Sequence, residues 1–116
     1  MRGIPTSVHS ALEVFAAPAI MAAPFVLGFG PAPTTIAVLL GVALLGLALQ
    51  LETPSRTMPL RAHAGFDYLL AVVAVSGGIA VGLVAGEWNA AIFLVGIGVA
   101  LVALSASTRF SVARSA

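Results

Sequence analysis

Cysteine and lysine are both missing from this chain of 116 residues, and charged side chains of any kind are scarce. The absence of cysteine excludes disulfides, thiolate metal sites and thiol redox chemistry together. Only 8% of the residues are charged, against about 25% in a typical soluble domain. The chain is instead 60% hydrophobic, more than so short a chain can bury in water. We therefore predict that lipid is part of its solvent.

Four apolar stretches are long enough to cross a bilayer, which takes roughly 20 helical residues. They cover about residues 9–29, 33–51, 63–86 and 88–107. The first contains Glu13, which argues against its being a cleaved signal peptide, and two prolines, which neighbouring helices can accommodate. The predicted fold class is all-α: a four-helix transmembrane bundle that forms a single integral membrane domain over residues 1–116.

A polar segment at the midpoint, residues 52–65, is predicted to be a cytoplasmic hinge between the two halves of the chain. The five arginines lie in the N-terminal lead, in this hinge and in the polar tail 108–116, at Arg2, Arg56, Arg61, Arg109 and Arg114. The two turns on the other side carry none. The positive-inside rule then places both termini in the cytoplasm. The Ala/Gly/Val/Leu/Arg bias suggests a bacterium, and so a multi-pass protein of the bacterial inner membrane.

The two halves resemble each other. A shift of 54 residues places His9 and Glu13 on His63 and Asp67, and Gly28 on Gly82. A shift of 55 residues aligns further positions, Gly41 with Gly96, Ala48 with Ala103 and Leu49 with Leu104. This pattern predicts two helical-hairpin repeats, about residues 9–51 and 63–107. Because each crosses the membrane twice, they would have the same orientation, as parallel repeats.

Two His-x-x-x-acid pairs, His9/Glu13 and His63/Asp67, are the candidate polar sites. The i, i+4 spacing puts each pair on one helix face. An acid inside a membrane segment suggests a proton relay or a cation site, with histidine as proton shuttle. Alternatively, the acids stabilise helix N-termini at a wet cytoplasmic interface, or the pairs hold the two halves together. One acid per helix at a wet interface predicts no metal site, and no cofactor or catalytic residue is expected.

Small residues recur every four positions on the third helix, at Ala74, Gly78, Gly82 and Gly86. This small-xxx-small pattern allows membrane helices to approach closely. It favours packing of the first helix on the third, and the alternative is a dimerisation surface.

The segment from Glu13 to Phe29 resembles the SPW-repeat family of small bacterial integral membrane proteins, whose repeat runs from an acid to a Ser-Pro-Trp-Val-Leu-Gly-Phe-type ending. Pro24, Phe25 and Gly28 stand at that ending here, with Phe25 in place of Trp. The second half keeps Asp67 and Gly82 but has Gly77-Gly78-Ile79 where Ser-Pro-Trp is expected. The resemblance implies a membrane protein of two hairpin repeats and no particular chemistry.

Two functions remain open from the sequence. The favoured one is a non-enzymatic membrane protein, structural or partner-binding, whose partners are the lipid bilayer and either a second copy or another membrane protein, with no nucleic acid. The alternative is a proton- or cation-coupled small-solute transporter that uses Glu13 and Asp67. A transporter requires an acid that faces a cavity, whereas a scaffold places both acids at the interface, bonded to helix ends or arginines.

Overall fold

The computed structural model describes residues 3–52 and 60–108, which form four long α-helices. These are α1 (Thr6–Leu27), α2 (Pro31–Glu52), α3 (Leu60–Ala80) and α4 (Trp88–Ala106), and a π-helical turn (Val81–Ala85) extends α3. The first two pack as one hairpin and the last two as a second. All four are long and apolar enough to cross a membrane. The predicted all-α class with four candidate spans is confirmed.

The first and third helices begin earlier than predicted. α1 starts at Thr6 rather than near residue 9, and α3 starts at Leu60 rather than near residue 63. The prediction of a hinge that extends to Gly65 is therefore wrong for its last six residues, which are helical. Leu, Arg and Ala are good helix formers in this stretch, and they outweigh its polar character. Residues 53–59 of the hinge lie outside the described residues, as do Arg2, Arg56, Arg109 and Arg114.

Each hairpin turns immediately after a glycine in the left-handed conformation. Gly28 (φ 73°) ends α1, and its N–H donates to the carbonyl of Pro24. Gly86 (φ 70°) ends the π-helical turn, and its N–H donates to the carbonyl of Gly82 at 3.0 Å. This backbone conformation is costly for residues with a Cβ. Gly28 and Gly86, which are 58 positions apart, therefore both cap the first helix of a hairpin. The alignment of the two halves by sequence had instead paired Gly28 with Gly82.

Close helix packing within each hairpin depends on one glycine of its second helix. Gly41 of α2 lies against Met21 and the Ala17 carbonyl of α1. Gly98 of α4 lies against α3, where a Cβ at Gly98 would be 2.8 Å from the carbonyl oxygen of Ala71. The sequence comparison aligned Gly41 with Gly96 instead, and a Cβ at Gly96 would meet nothing within 4 Å.

The small-residue stripe of the third helix packs mainly on α4, through Gly78, and on Trp88, through Gly82. Ala74 is fully buried in a cluster with residues of α2 and α4. A Cβ at Gly78 would lie 2.9 Å from the carbonyl oxygen of Ala91 in α4, and Gly82 lies against the Trp88 ring. The stripe therefore contacts α4, where packing on α1 was expected.

The described residues combine an apolar core with a buried polar cluster and a largely apolar outer surface. The buried polar residues are His9, Ser10, Glu13, His63, Asp67 and Ser105. Large apolar side chains face outward, and Phe15 and Val84 are 80% and 87% exposed. A monomer in water rarely leaves so much apolar surface exposed. In lipid the outer surface is solvated by acyl chains, which is consistent with the four candidate spans.

The two hairpins are joined at both ends of the bundle. At one end, the N–H of Ile4 donates to the carbonyl of Ser107 at 2.6 Å, so both ends of the described chain meet there. At the other end, the N–H of Gly30 in the first turn donates to the carboxylate of Glu87 in the second, at 2.8 Å. Between them, Ala17, Leu44, Ala71 and Leu101 bring all four helices into contact.

Candidate functional site

The structure brings the two His-acid pairs together into one buried centre. His9 and Glu13 lie on one face of α1, His63 and Asp67 on one face of α3, and these faces meet. The exposed fraction of every one of the four side chains is 2% or less. We call this set the His/carboxylate centre. The two helices α1 and α3 each supply one imidazole and one carboxylate. The residues farthest apart in the sequence, His9 and Asp67, are separated by 58 positions.

Four short distances connect the imidazoles to the carboxylates. His9 Nε2 lies 3.0 Å from Glu13 Oε2 and 2.8 Å from Asp67 Oδ2. His63 Nε2 lies 3.1 Å from Asp67 Oδ2 and 3.7 Å from Glu13 Oε1. Each imidazole therefore faces both acids, one on its own helix and one on the other hairpin. The two rings stand edge to face, with centroids 5.7 Å apart.

Thr108 fixes the orientation and tautomer of His9. Its hydroxyl donates its single hydrogen to the carbonyl of Leu104 at 2.6 Å. The same oxygen is 2.8 Å from His9 Nδ1, so it accepts a hydrogen bond from Nδ1–H. With Nδ1 protonated, the lone pair of Nε2 points at two carboxylate oxygens. That contact is favourable only when a positive charge, a proton or another cation, lies at Nε2.

The centre differs from the wet interface considered in the sequence interpretation. Neither acid lies in the first turn of its helix, and the N-cap residue of α1, Pro5, provides no side-chain hydrogen bond. Glu13 and Asp67 are buried, and their ion-pair partners among the described residues are the two histidines. The reason is the register: four residues after each histidine, the acid has turned onto the face that the other hairpin covers.

The described residues place little positive charge near the two acids. Arg61 is the only arginine in the described part of the chain, and it is exposed. Glu13 Oε1 and Asp67 Oδ1 are buried and have no hydrogen bond among the described residues. Burying a carboxylate without a counter-charge is costly. Among the described residues, the groups that can compensate are the two histidines, and His9, Glu13, His63 and Asp67 together could also hold a bound cation.

An open groove reaches the centre from the side of the bundle. Its volume is about 480 Å³, and Glu13 is the one acidic residue among the described residues that line it. Its other walls are apolar and come from α1, α2 and α4, including Leu12, Ala16, Leu44 and Phe93. A carboxylate at an otherwise apolar groove can attract a cation or a proton.

The remaining candidate residues have structural positions. Pro24 is buried, Phe25 is 70% exposed on the outer surface of the bundle, and Gly28 caps α1. Sequence reasoning missed Thr108, which it placed in the polar tail. The His9–Thr108 contact spans 99 positions, and no local pattern could have indicated it.

Comparisons with family models, with curated proteins and with solved structures gave no match to this chain. The His/carboxylate centre lies within two of the four helices that are long and apolar enough to cross a membrane.

Proposed function

We propose that this protein is a small multi-pass membrane protein, non-enzymatic, that couples a proton or another cation to the movement of a small solute through Glu13 and Asp67. The observation that carries the proposal is the burial of both acids, side by side with both histidines, inside helices long enough to span a membrane. Ionisable groups buried within membrane-spanning helices are expensive, and such a group is by default a candidate for an ion or proton pathway.

The surroundings of Glu13 support this function further. Its side chain borders the lateral groove and also lies 3.0 Å from His9 Nε2. His9 is in turn 2.8 Å from Asp67. A proton or cation that reaches Glu13 from the groove is thus within one hydrogen-bond distance of an imidazole, and within two of the second acid. Such a chain is the minimum a relay requires.

The test is a proton-flux assay in proteoliposomes with wild type, Glu13→Gln and Asp67→Asn. Both substitutions keep the size of the side chain and remove its charge. We expect wild-type flux above that of empty liposomes, and a fall to the empty-liposome rate in each variant. Glu87→Gln is the matched control, because Glu87 is the acid at the opposite end of the bundle, and we expect wild-type flux from it.

A second candidate function, structural or partner-binding, is favoured by the contact between His9 and Asp67. This 2.8 Å contact joins α1 to α3 and so ties the two hairpins together. In that case wild-type protein shows no flux above empty liposomes, while Glu13→Gln and Asp67→Asn still lower the unfolding temperature in detergent. Partners, either a second copy or another membrane protein, would then be sought by cross-linking in the membrane.

We place the protein in a bacterial inner membrane with both termini cytoplasmic, on the arginine distribution. The contact between Ile4 and Ser107 supports this, since it brings both ends of the described chain to one side. We also propose that the hairpins are parallel repeats of the SPW-repeat type. Support comes from the matched His-acid pairs and from the capping glycines Gly28 and Gly86.

A further inference from the structure

We propose that the His/carboxylate centre is a binding site for a divalent transition metal ion of the Zn²⁺ class. Its four ligands would be His9 Nε2, His63 Nε2 and one carboxylate oxygen each from Glu13 and Asp67. The inference concerns the same centre as the proposed function and rests on its being a cation site. It adds the identity of the cation.

The spacing of the ligand atoms fits one ion. The four candidate atoms all lie within 4.8 Å of one another. The imidazole–carboxylate separations are 2.8, 3.0, 3.1 and 3.7 Å. A tetrahedron with metal–ligand bonds of about 2.0–2.1 Å has edges of about 3.3 Å. The 2.8, 3.0 and 3.1 Å separations, which join His9 Nε2 to Glu13 Oε2 and both imidazoles to Asp67 Oδ2, are slightly shorter than that edge. His63 Nε2 lies 3.7 Å from the other Glu13 oxygen, Oε1, so a rotation of the Glu13 carboxylate is needed to bring one oxygen to the ion.

Charge selects a divalent ion. When both imidazoles are neutral, as metal ligation requires, Glu13 and Asp67 contribute two negative charges, and no arginine of the described residues lies at the centre. One divalent ion makes the centre neutral, which removes most of the cost of burying two carboxylates among apolar helices. A monovalent ion would leave a net negative charge there.

The ligand types select a transition metal. Two imidazoles with two carboxylates suit Zn²⁺, Fe²⁺, Mn²⁺ and their neighbours, whereas Mg²⁺ and Ca²⁺ prefer oxygen alone. Facing helices of a bundle commonly build such sites from side chains that project inward.

The hydrogen bond from His9 to Thr108 is a second, independent indication. Metal-ligating histidines almost always donate the other ring N–H to an outer partner, which holds the ring in its ligating tautomer. Thr108 does this for His9 Nδ1 at 2.8 Å, and its own hydrogen is committed to Leu104. The Nε2 lone pair of His9 is thereby directed at the position between the two carboxylates, where the ion would sit.

The experiment uses full-length protein in detergent, purified with a tag that contains no histidine. Because His9 and His63 are the chain's two histidines, imidazole ligation can be assigned to them without ambiguity. Co²⁺ is the spectroscopic probe, and Zn²⁺ binding is measured by calorimetry. We expect one ion per chain, a tetrahedral Co²⁺ absorption band displaced by Zn²⁺, and no comparable binding of Mg²⁺.

Variants and controls make the result specific. His63→Gln and Asp67→Asn are expected to weaken Zn²⁺ binding at least tenfold, with Glu87→Gln binding as wild type. If a variant fails to fold, wild type alone still decides, because Zn²⁺ must raise its unfolding temperature and a chelator must reverse the shift. Absence of that shift and of the Co²⁺ band, or equal binding of Mg²⁺, overturns the inference.

The outcome is separable from that of the flux assay. Zn²⁺ binding without acid-dependent proton flux supports the metal site and removes the proton-coupled form of the proposed function. Acid-dependent proton flux without Zn²⁺ binding supports the proposed function and overturns the metal site.

Discussion

At the scale of single residues, Thr108 is the least obvious contact of the His/carboxylate centre, and it gives the first prediction. Thr108→Val keeps the shape of the side chain but leaves His9 Nδ1–H without its acceptor. Leaving a buried donor unpaired costs about 1–3 kcal/mol. We expect Thr108→Val to lower the free energy of unfolding in detergent by that amount, and to change the ¹⁵N resonances of His9, which report where its ring proton lies.

Thr35→Val is the matched control, because the Thr35 hydroxyl is exposed and donates only to Pro31 of its own helix. Exposed substitutions of this kind usually change stability by less than about 0.5 kcal/mol. Equal losses for the two variants, with unchanged His9 resonances in both, would show that Thr108 does not orient the ring.

At the same scale, the sequence revealed which residues form the centre but not that they meet. The i, i+4 spacing of His9 with Glu13 and of His63 with Asp67 was sufficient to place each pair on one helix face. Contact between the pairs depends on how α1 and α3 are rotated toward each other. That rotation is set by packing at positions such as Ala17 and Ala71, which no local pattern encodes.

At the scale of elements, two glycines of α4 should respond in opposite ways to the same change. Gly98→Ala places a Cβ 2.8 Å from the Ala71 carbonyl oxygen and also against Val75. Forcing α3 and α4 apart is expected to cost about 1–3 kcal/mol. The Cβ that Gly96→Ala adds would have no neighbour within 4 Å. This variant should leave the free energy of unfolding unchanged or raise it by up to about 1 kcal/mol, because alanine has the higher helix propensity. Thermal unfolding of both variants in one detergent decides between them.

The sequence comparison had singled out Gly96 rather than Gly98, so this pair also tests the register of the two hairpins. A larger loss for Gly96→Ala would contradict the observed packing and favour the simple 55-residue alignment. The structure instead gives α3, with its π-helical turn, about one helical turn more than α1 before the capping glycine. An extra helical turn in α3 shifts every later position of the second half relative to the first. This explains why the alignment by a shift of 55 residues pairs the wrong residues of α2 and α4.

At the scale of the whole molecule, composition and length were enough for the architecture. Four apolar stretches of roughly 20 residues leave few alternatives to four membrane helices. Helix starts were less predictable, as at Leu60, because a polar stretch can still be helical when its residues favour helix. Interactions that close the bundle, at Ile4–Ser107 and at Gly30–Glu87, join distant parts of the chain and lie beyond sequence reasoning.

The Glu87 contact leads to a prediction for the assembly of the bundle. Glu87→Ala removes the acceptor that joins the two hairpin turns, at the end opposite the His/carboxylate centre. We expect a loss of about 1 kcal/mol in the free energy of unfolding, because one partly buried hydrogen bond is lost. Glu87→Gln keeps an acceptor oxygen in place and should lose less. Helices of 22 residues separate the two ends by about 33 Å, so Zn²⁺ affinity should be unchanged in both. A fall in Zn²⁺ affinity in Glu87→Ala would mean instead that the two ends of the bundle are mechanically coupled, and that the hairpins move as rigid units about the centre.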